Sequence, residues 1–158
     1  MLRRLLKRKM FARRFARAEE GTQLVELAIV LPVLLVLFAA TAEFGRFFYT
    51  YQTLAKSTRA SARYLTTRVT EGSTADTVAT NLAVYGAPND TGQPLVAGLG
   101  PEHVAITREG GVGTSYERVT VQIDGFQYQP VFDLGKFIGS NTFTLRINIS
   151  PSTTMRFF

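Results

Sequence analysis

Apolar positions follow three different rhythms along this chain. From Thr22 to Ala42 they are nearly continuous, with Glu26 the single charge in the run. About 20 such residues, at about 1.5 Å each in a helix, cross the hydrocarbon core of a bilayer. Pro32 interrupts the run. It cannot donate to the carbonyl of Ala28 and crowds it, so a helix kink is expected there. The run passes without a breaker into Glu43-Phe44-Gly45-Arg46-Phe47-Phe48-Tyr49-Thr50-Tyr51. Such an aromatic cluster suits the outer membrane interface.

Beyond that cluster the period becomes helical. Phe44, Phe48, Tyr51, Ala55, Thr58, Ala62 and Leu65 step by four and three, which describes one face of a helix. Arg46, Thr53, Lys56, Arg63 and Arg68 lie opposite. One long helix from about Thr22 to about Arg68 is the natural reading. Residues 69–73 read as a linker. Asp76 is placed to cap a short helix that ends at Tyr85, with Val78, Leu82 and Tyr85 on one face and Gly86 and Pro88 stopping it.

The third rhythm is alternation. Residues 87–100 are rich in Gly, Pro, Asn and Asp and form a loop. Val104 and Ile106 mark a short strand, followed by a turn at Gly110-Gly111-Val112-Gly113. That turn lacks the lysine and hydroxyl of a phosphate-binding loop. Val119, Val121 and Ile123 alternate cleanly, and Phe126 and Tyr128 continue in the opposite phase, as a bulge near Asp124-Gly125 would allow. Phe143, Leu145, Ile147 and Ile149 outline a last strand that Pro151 ends. The expected fold class is α+β: a long N-terminal transmembrane and amphipathic helix, kinked at Pro32, packed on a small C-terminal antiparallel sheet. The expected boundaries are a basic arm over 1–21, a membrane segment over 22–48, an amphipathic extension over 49–68 and an exported α+β domain over 69–158.

Charge changes the picture at one end only. Residues 1–20 hold eight basic and two acidic residues and so account for the whole net charge of +6, while the remaining ten basic and ten acidic residues cancel. The basic arm beside the apolar run orients the N-terminus to the cytoplasm and the C-terminus outside. Leu2, Leu5, Leu6, Met10, Phe11 and Phe15, interleaved with the cations, also allow an amphipathic helix on an anionic membrane surface. A nucleic-acid-binding arm has no supporting fold, so no nucleic-acid partner is assigned. The chain has no cysteine, which excludes disulfides and thiolate metal sites. His103 is the only histidine and reads as a surface residue. No His/Asp/Glu cluster has metal spacing, and no nucleophile elbow appears. The sequence therefore assigns no catalytic, cofactor-binding or metal residue and no cofactor.

A basic leader, Gly21, Glu26 five positions after it, and an apolar helix resemble the processing region of type IV pilins and pseudopilins. Gly21-Thr22-Gln23-Leu24-Val25-Glu26-Leu27-Ala28, Pro32, Glu43-Phe44-Gly45-Arg46 and Ala60-Ser61-Ala62-Arg63 together resemble the TadE-like family of the Tad (Flp) pilus system. The ending Ser152-Thr153-Thr154-Met155-Arg156 is similar as well. The resemblance is concentrated in residues 20–65. It implies a non-enzymatic minor pilin or pseudopilin. It also implies cleavage of the leader between Gly21 and Thr22 by a prepilin peptidase, and assembly with other pilin or pseudopilin subunits on a platform in the bacterial inner membrane. The expected location is single-pass in that membrane with a periplasmic C-terminal domain, or extracellular within a pilus.

The chemistry of the residues agrees with that implication. Cleavage after Gly21 would expose the amine of Thr22. Glu26 lies four residues on, so it shares a helix face with that amine and with the positive end of the new helix. In a bundle the Glu26 carboxylate could pair instead with the amine of a neighbouring subunit, setting register. Two other readings stay open. Glu26 could sit at the inner interface of an uncleaved anchor. Alternatively, Ala40-Thr41-Ala42 resembles the cleavage site of an ordinary secretory signal, which would release a periplasmic binding domain beginning at Glu43.

Overall fold

The computed structural model describes residues 2–67, 72–90, 92–111, 116–132, 139 and 146–157, with side chains from Gly21 onward, Gly72 excepted. Two compact units divide the chain, Met1–Ala42 and Glu43–Phe158. The first is the early part of a long α-helix, α1 (Leu2–Thr66). It begins well before the expected Thr22. Pro32 lies inside α1, and the helix is helical on both sides of it. Side chains from Gly21 to Ala42 are exposed throughout, apart from a half-buried Ala39.

The second unit contains the rest of α1, a second helix α2 (Gly72–Tyr85), a one-turn 3-10 segment (Pro101–His103) and three strands. The strands β1 (Val104–Glu109), β2 (Arg118–Ile123) and β3 (Ser152–Arg156) form an antiparallel sheet with β2 in the centre. The fold class is α+β, a long apolar N-terminal helix with a small antiparallel sheet, as the alternation predicts.

The face that α1 buries in this unit differs from the predicted stripe. Thr58, Ala62 and Leu65 are buried as expected, but Phe44, Phe48 and Tyr51 are 70%, 52% and 44% exposed. The interior side carries Glu43, Thr50, Leu54, Ser57 and Ser61 instead. Most of the polar groups there find a partner. Ser57 donates to the carbonyl of Leu54, Ser61 donates to the carbonyl of Ala79 at 2.8 Å, and the hydroxyls of Thr58 and Thr153 share a bond of 3.1 Å. Burial with a bond costs far less than burial without one, so hydrophobicity alone misplaces this face. At the helix end, Thr66 donates to Arg63 O and Thr67 to Tyr64 O, and α1 stops at Thr66 rather than near Arg68.

The second helix starts at Gly72, within the expected linker and four residues ahead of the predicted cap. Asp76 is not a cap; its carboxylate takes a forked bond from the Arg108 guanidinium on β1. The buried face of α2 is Ala75, Ala79, Ala83 and Val84, whereas Val78, Leu82 and Tyr85 are only half-buried. Alanines at four-residue spacing let the two helix backbones approach, and the Ser61 bond to Ala79 O depends on that approach. Gly86 ends α2 with φ +70°, a left-handed conformation that glycine adopts without cost.

Strand β2 has the predicted pattern, with Val119, Val121 and Ile123 fully buried. The chain then turns at Asp124-Gly125, where Gly125 has φ +68°. Phe126 and Tyr128 are buried in a stretch that is not a regular strand, joined to Asn148 only by the bridge from Gln127. The last strand departs further from expectation. Phe143 and Leu145 lie outside the described residues, Ile147 and Ile149 are not in a strand, and the third strand begins after Pro151 instead of ending before it. Proline lacks an N–H and fits at the edge of a strand, where its carbonyl can still accept; here it accepts from Ile123 N at 3.0 Å.

Two apolar clusters fill the unit. One gathers Leu54, Val84, Leu99, Ile123, Phe126, Tyr128 and Ile149, and the other Ala62, Leu65, Ala75, Ala79, Val119 and Val121. Each takes a share of α1, α2 and β2, so one helix face organises the whole core.

Candidate functional site

In the first unit the predicted processing residues lie on an uninterrupted helical stretch. Gly21, Thr22 and Glu26 are all exposed, and Thr22 and Glu26 are four residues apart on one helix face. Pro32 follows two turns later on the same exposed rod. Gly21 is informative. A glycine inside a helix costs about 1 kcal/mol relative to alanine, and a Cβ placed on Gly21 would meet nothing within 4 Å. Neither packing nor a left-handed backbone calls for glycine at that position.

The apolar run that follows suits a bilayer and no part of the protein's own core. Its most apolar 18 residues have a mean hydropathy of 2.6, and none is buried. Leu24, Ile29, Leu35 and Phe38 are 67%, 67%, 58% and 72% exposed. One N-terminal helix is therefore long and apolar enough to cross a membrane, and it fits a membrane anchor.

The second unit begins with a feature that sequence reasoning did not find. Glu43, its first residue, is 4% exposed. Three groups donate to its carboxylate. The Tyr128 hydroxyl reaches Oε1 at 2.5 Å, the Val131 N–H is shared between both oxygens at 3.2 Å, and the Phe132 N–H reaches Oε2 at 3.1 Å. A carboxylate accepts at both oxygens, so the ionised form is the one these donors serve. The ring of Phe47, one turn along, packs edge-on against Tyr128 with centroids 5.4 Å apart. Burial first, then the bond to Glu43 and its negative charge, pushes the Tyr128 phenol up to about 12. The clamp thus pins residues 128–132 to the start of this part of α1. The sequence held one clue, a lone carboxylate at the end of an apolar run. Its partners are more than 80 residues away and could not be inferred from spacing.

Beside the clamp opens a cavity of about 390 Å³, lined among others by Arg46, Thr50, Val96, Phe126 and Val131. Its polar lining is the Arg46 guanidinium, the Thr50 and Tyr128 hydroxyls and the Gln129 amide, and the Tyr128 hydroxyl is already committed to Glu43. His103 lies elsewhere. Its Nδ1 accepts from Gly100 N at 3.1 Å, and its ring stands against Phe126 at 5.9 Å, so it closes a turn. Among the described residues no group of three His, Cys, Asp or Glu side chains could hold a metal ion.

Residues 21–63 match the protein family described as TadE-like protein. The matched stretch starts at Gly21 and takes in Glu26, Pro32, the clamp residue Glu43 and the buried Ser61-Ala62 pair. No curated protein and no solved structure matches the chain.

Proposed function

We propose that this chain, TadE-like over residues 21–63, is a membrane-anchored minor pilin or pseudopilin of a Tad (Flp) pilus, a structural subunit and not an enzyme. The carrying observation is the coincidence of three things at one residue. The family match begins at Gly21, the exposed apolar helix follows it, and nothing in the fold requires a glycine there. In this reading a prepilin peptidase cuts between Gly21 and Thr22. The chain then sits single-pass in the bacterial inner membrane, with the unit from Glu43 onward in the periplasm. It joins other pilin or pseudopilin subunits through the exposed helix on an assembly platform, and becomes extracellular if incorporated in a fibre. Kinking at Pro32 adjusts the helix within that bundle.

Glu26 has a defined task in this mechanism. Cleavage creates an amine on Thr22, and helix packing brings amines and carboxylates of neighbouring subunits into a medium of low dielectric. A Glu26 carboxylate that pairs with such an amine offsets its charge and fixes axial register. Glu26→Gln keeps the shape and removes the charge. The variant should insert, because losing a charge eases membrane burial. It should be cleaved, because Gly21 is intact, and it should lose co-purification with its partner subunits. Undiminished partner binding would remove Glu26 from assembly. Replacing Gly21 with a bulky residue should give the opposite result, insertion without cleavage.

One observation favours a second reading. The compact unit starts at Glu43, immediately after Ala40-Thr41-Ala42. A signal peptidase cutting there would release a self-contained periplasmic binding domain with its carboxylate clamp complete. The position of the mature N-terminus separates the two.

A further inference from the structure

The clamp at Glu43 holds its loop through backbone N–H groups. Val131 and Phe132 donate from the main chain, so the bonds place no demand on their side chains. Yet both are large and apolar, and they are 61% and 48% exposed. Polar residues would have made the same bonds with less apolar surface in water. Neighbouring positions on α1 show the same feature, since Phe44 and Phe48 are 70% and 52% exposed.

What lies near this surface follows from chain connectivity. Glu43 is the next residue after Ala42, with no linker between the apolar run and the clamp. Any group bonded to the Glu43 carboxylate is within one side chain's reach of the end of that run. If the run crosses a bilayer, the main chain of residues 131 and 132 is at the interface, where aromatic and apolar side chains settle among glycerol and carbonyl groups. Arg46, one turn beyond Glu43, shares the adjoining cavity with Val131. A guanidinium at that height matches headgroup phosphates.

We propose that the loop Gln129–Phe132 is a second membrane-contacting element, held down by Glu43, with Val131 and Phe132 seated in the outer interface of the phospholipid bilayer. The loop would fix the domain against the lipid surface at a point remote in sequence from the anchor. The proposal rests on the anchored reading of the apolar run, and the experiment separates the two.

The chain has no tryptophan, so a single introduced one is a clean reporter. Phe132→Trp, Phe38→Trp and Tyr116→Trp are made in the full chain and reconstituted in vesicles of phosphatidylethanolamine and phosphatidylglycerol. The lipids carry bromine either near the carbonyl end of the acyl chain or near its terminus. Position 38 reports on the apolar run, and position 116, with a 71% exposed side chain, reports on the hairpin end of β1 and β2. The expected result is strong quenching at 38 by the deep bromines. At 132, bromine near the carbonyl end should quench several-fold more than at 116, and aqueous iodide correspondingly less. Val131→Trp should give the same result if Phe132→Trp folds poorly, and adding Glu43→Gln should lower the lipid quenching at 132. Quenching at 132 equal to that at 116, with 38 still lipid-quenched, would overturn the proposal and leave the anchor standing. Shielding from iodide at 132 without lipid quenching would also overturn it, in favour of a protein neighbour on that surface. Absence of lipid quenching at 38 would overturn the anchored reading and this inference together.

Discussion

Two stretches of one helix obey opposite rules. Between Gly21 and Ala42, α1 shows leucine, valine and phenylalanine on every side, and these side chains are exposed. Between Glu43 and Thr66 it turns Phe44, Phe48, Tyr49 and Tyr51 outward and buries Glu43, Thr50, Ser57, Thr58 and Ser61. In the first stretch the surroundings must satisfy the side chains, and the only medium that does so is apolar. In the second the protein supplies partners, so polar side chains can go inside. The comparison teaches that apolar content locates the anchor and hydrogen-bond supply locates the domain. The change of rule falls at Glu43.

The strongest way to break this comparison is to move the start of the domain. A chain beginning at Glu43 should fold cooperatively by itself. A chain beginning at Tyr49 loses Glu43 and Phe47, so Tyr128 loses both its acceptor and its ring contact. Loss of the half-buried Phe47 contact, and of the acceptor that the buried Tyr128 hydroxyl needs, costs roughly 1–3 kcal/mol each. A small domain has about 5–15 kcal/mol in total. The shorter chain should therefore be markedly less stable, with a clearly lower midpoint by circular dichroism and urea titration. Equal midpoints for the two chains would show that the clamp is peripheral.

A smaller change tests the clamp alone. Tyr128→Phe keeps the ring against Phe47 and removes one donor from the Glu43 carboxylate. Leaving a buried acceptor short of a partner costs about 1–3 kcal/mol, readable as a lower urea midpoint with an unchanged slope. The variant also changes the response to alkali. The Tyr128 phenol is raised to about 12 from an ordinary value of 10.0. Between those values the unfolded chain has lost the proton that the folded chain keeps. Stability from this group is therefore complete below about pH 10 and declines as pH rises through about 12. A shift of this size corresponds to roughly 3 kcal/mol. The fall in wild-type stability over that window should be steeper than in Tyr128→Phe. Parallel curves would mean that the phenol is not held by Glu43.

How much of this was legible in the sequence follows from the same contrast. The anchor was readable, because exposure to an apolar medium is recorded directly in composition from Leu24 to Phe38. Strand β2 was readable, because Val119, Val121 and Ile123 are buried apolar residues at alternate positions. The buried face of α1 was readable only from Thr58 onward, where small and apolar residues coincide with burial. Before that, Phe44 and Phe48 looked like core, and nothing in the spacing marked Glu43 for burial. The helix α2 misled in a related way: Val78, Leu82 and Tyr85 outrank alanine in hydrophobicity, but the close approach of α1 selects Ala75, Ala79 and Ala83. Strand β3 was missed because Ser152, Thr153 and Thr154 carry no apolar alternation; pairing with β2 and the Thr58 hydroxyl hold them. Of the candidate site, Gly21 and Glu26 could be read from local spacing. The clamp could not, because its donors come from residues 128–132.

The smallest expected effect lies at the outer surface. The forked bond between Arg108 and Asp76 joins β1 to α2, but both side chains are about one-third exposed. Water and salt screen such a pair, so Asp76→Ala should lower stability by less than about 1 kcal/mol. A larger loss would mean that surface charge, and not the helix faces, organises the domain.

The role of the first unit is tested most directly by the N-terminus of the mature protein. The full chain is coexpressed with a prepilin peptidase from a Tad pilus system, and the membrane fraction is analysed by N-terminal sequencing and intact mass. The expected product begins at Thr22, keeps the exposed apolar helix that follows and remains in the membrane. A chain that begins at Glu43 and is soluble would contradict it, making the apolar run a secretory signal and the domain a free periplasmic protein. A chain that still begins at Met1 beside an active peptidase would contradict it as well, leaving an uncleaved anchor.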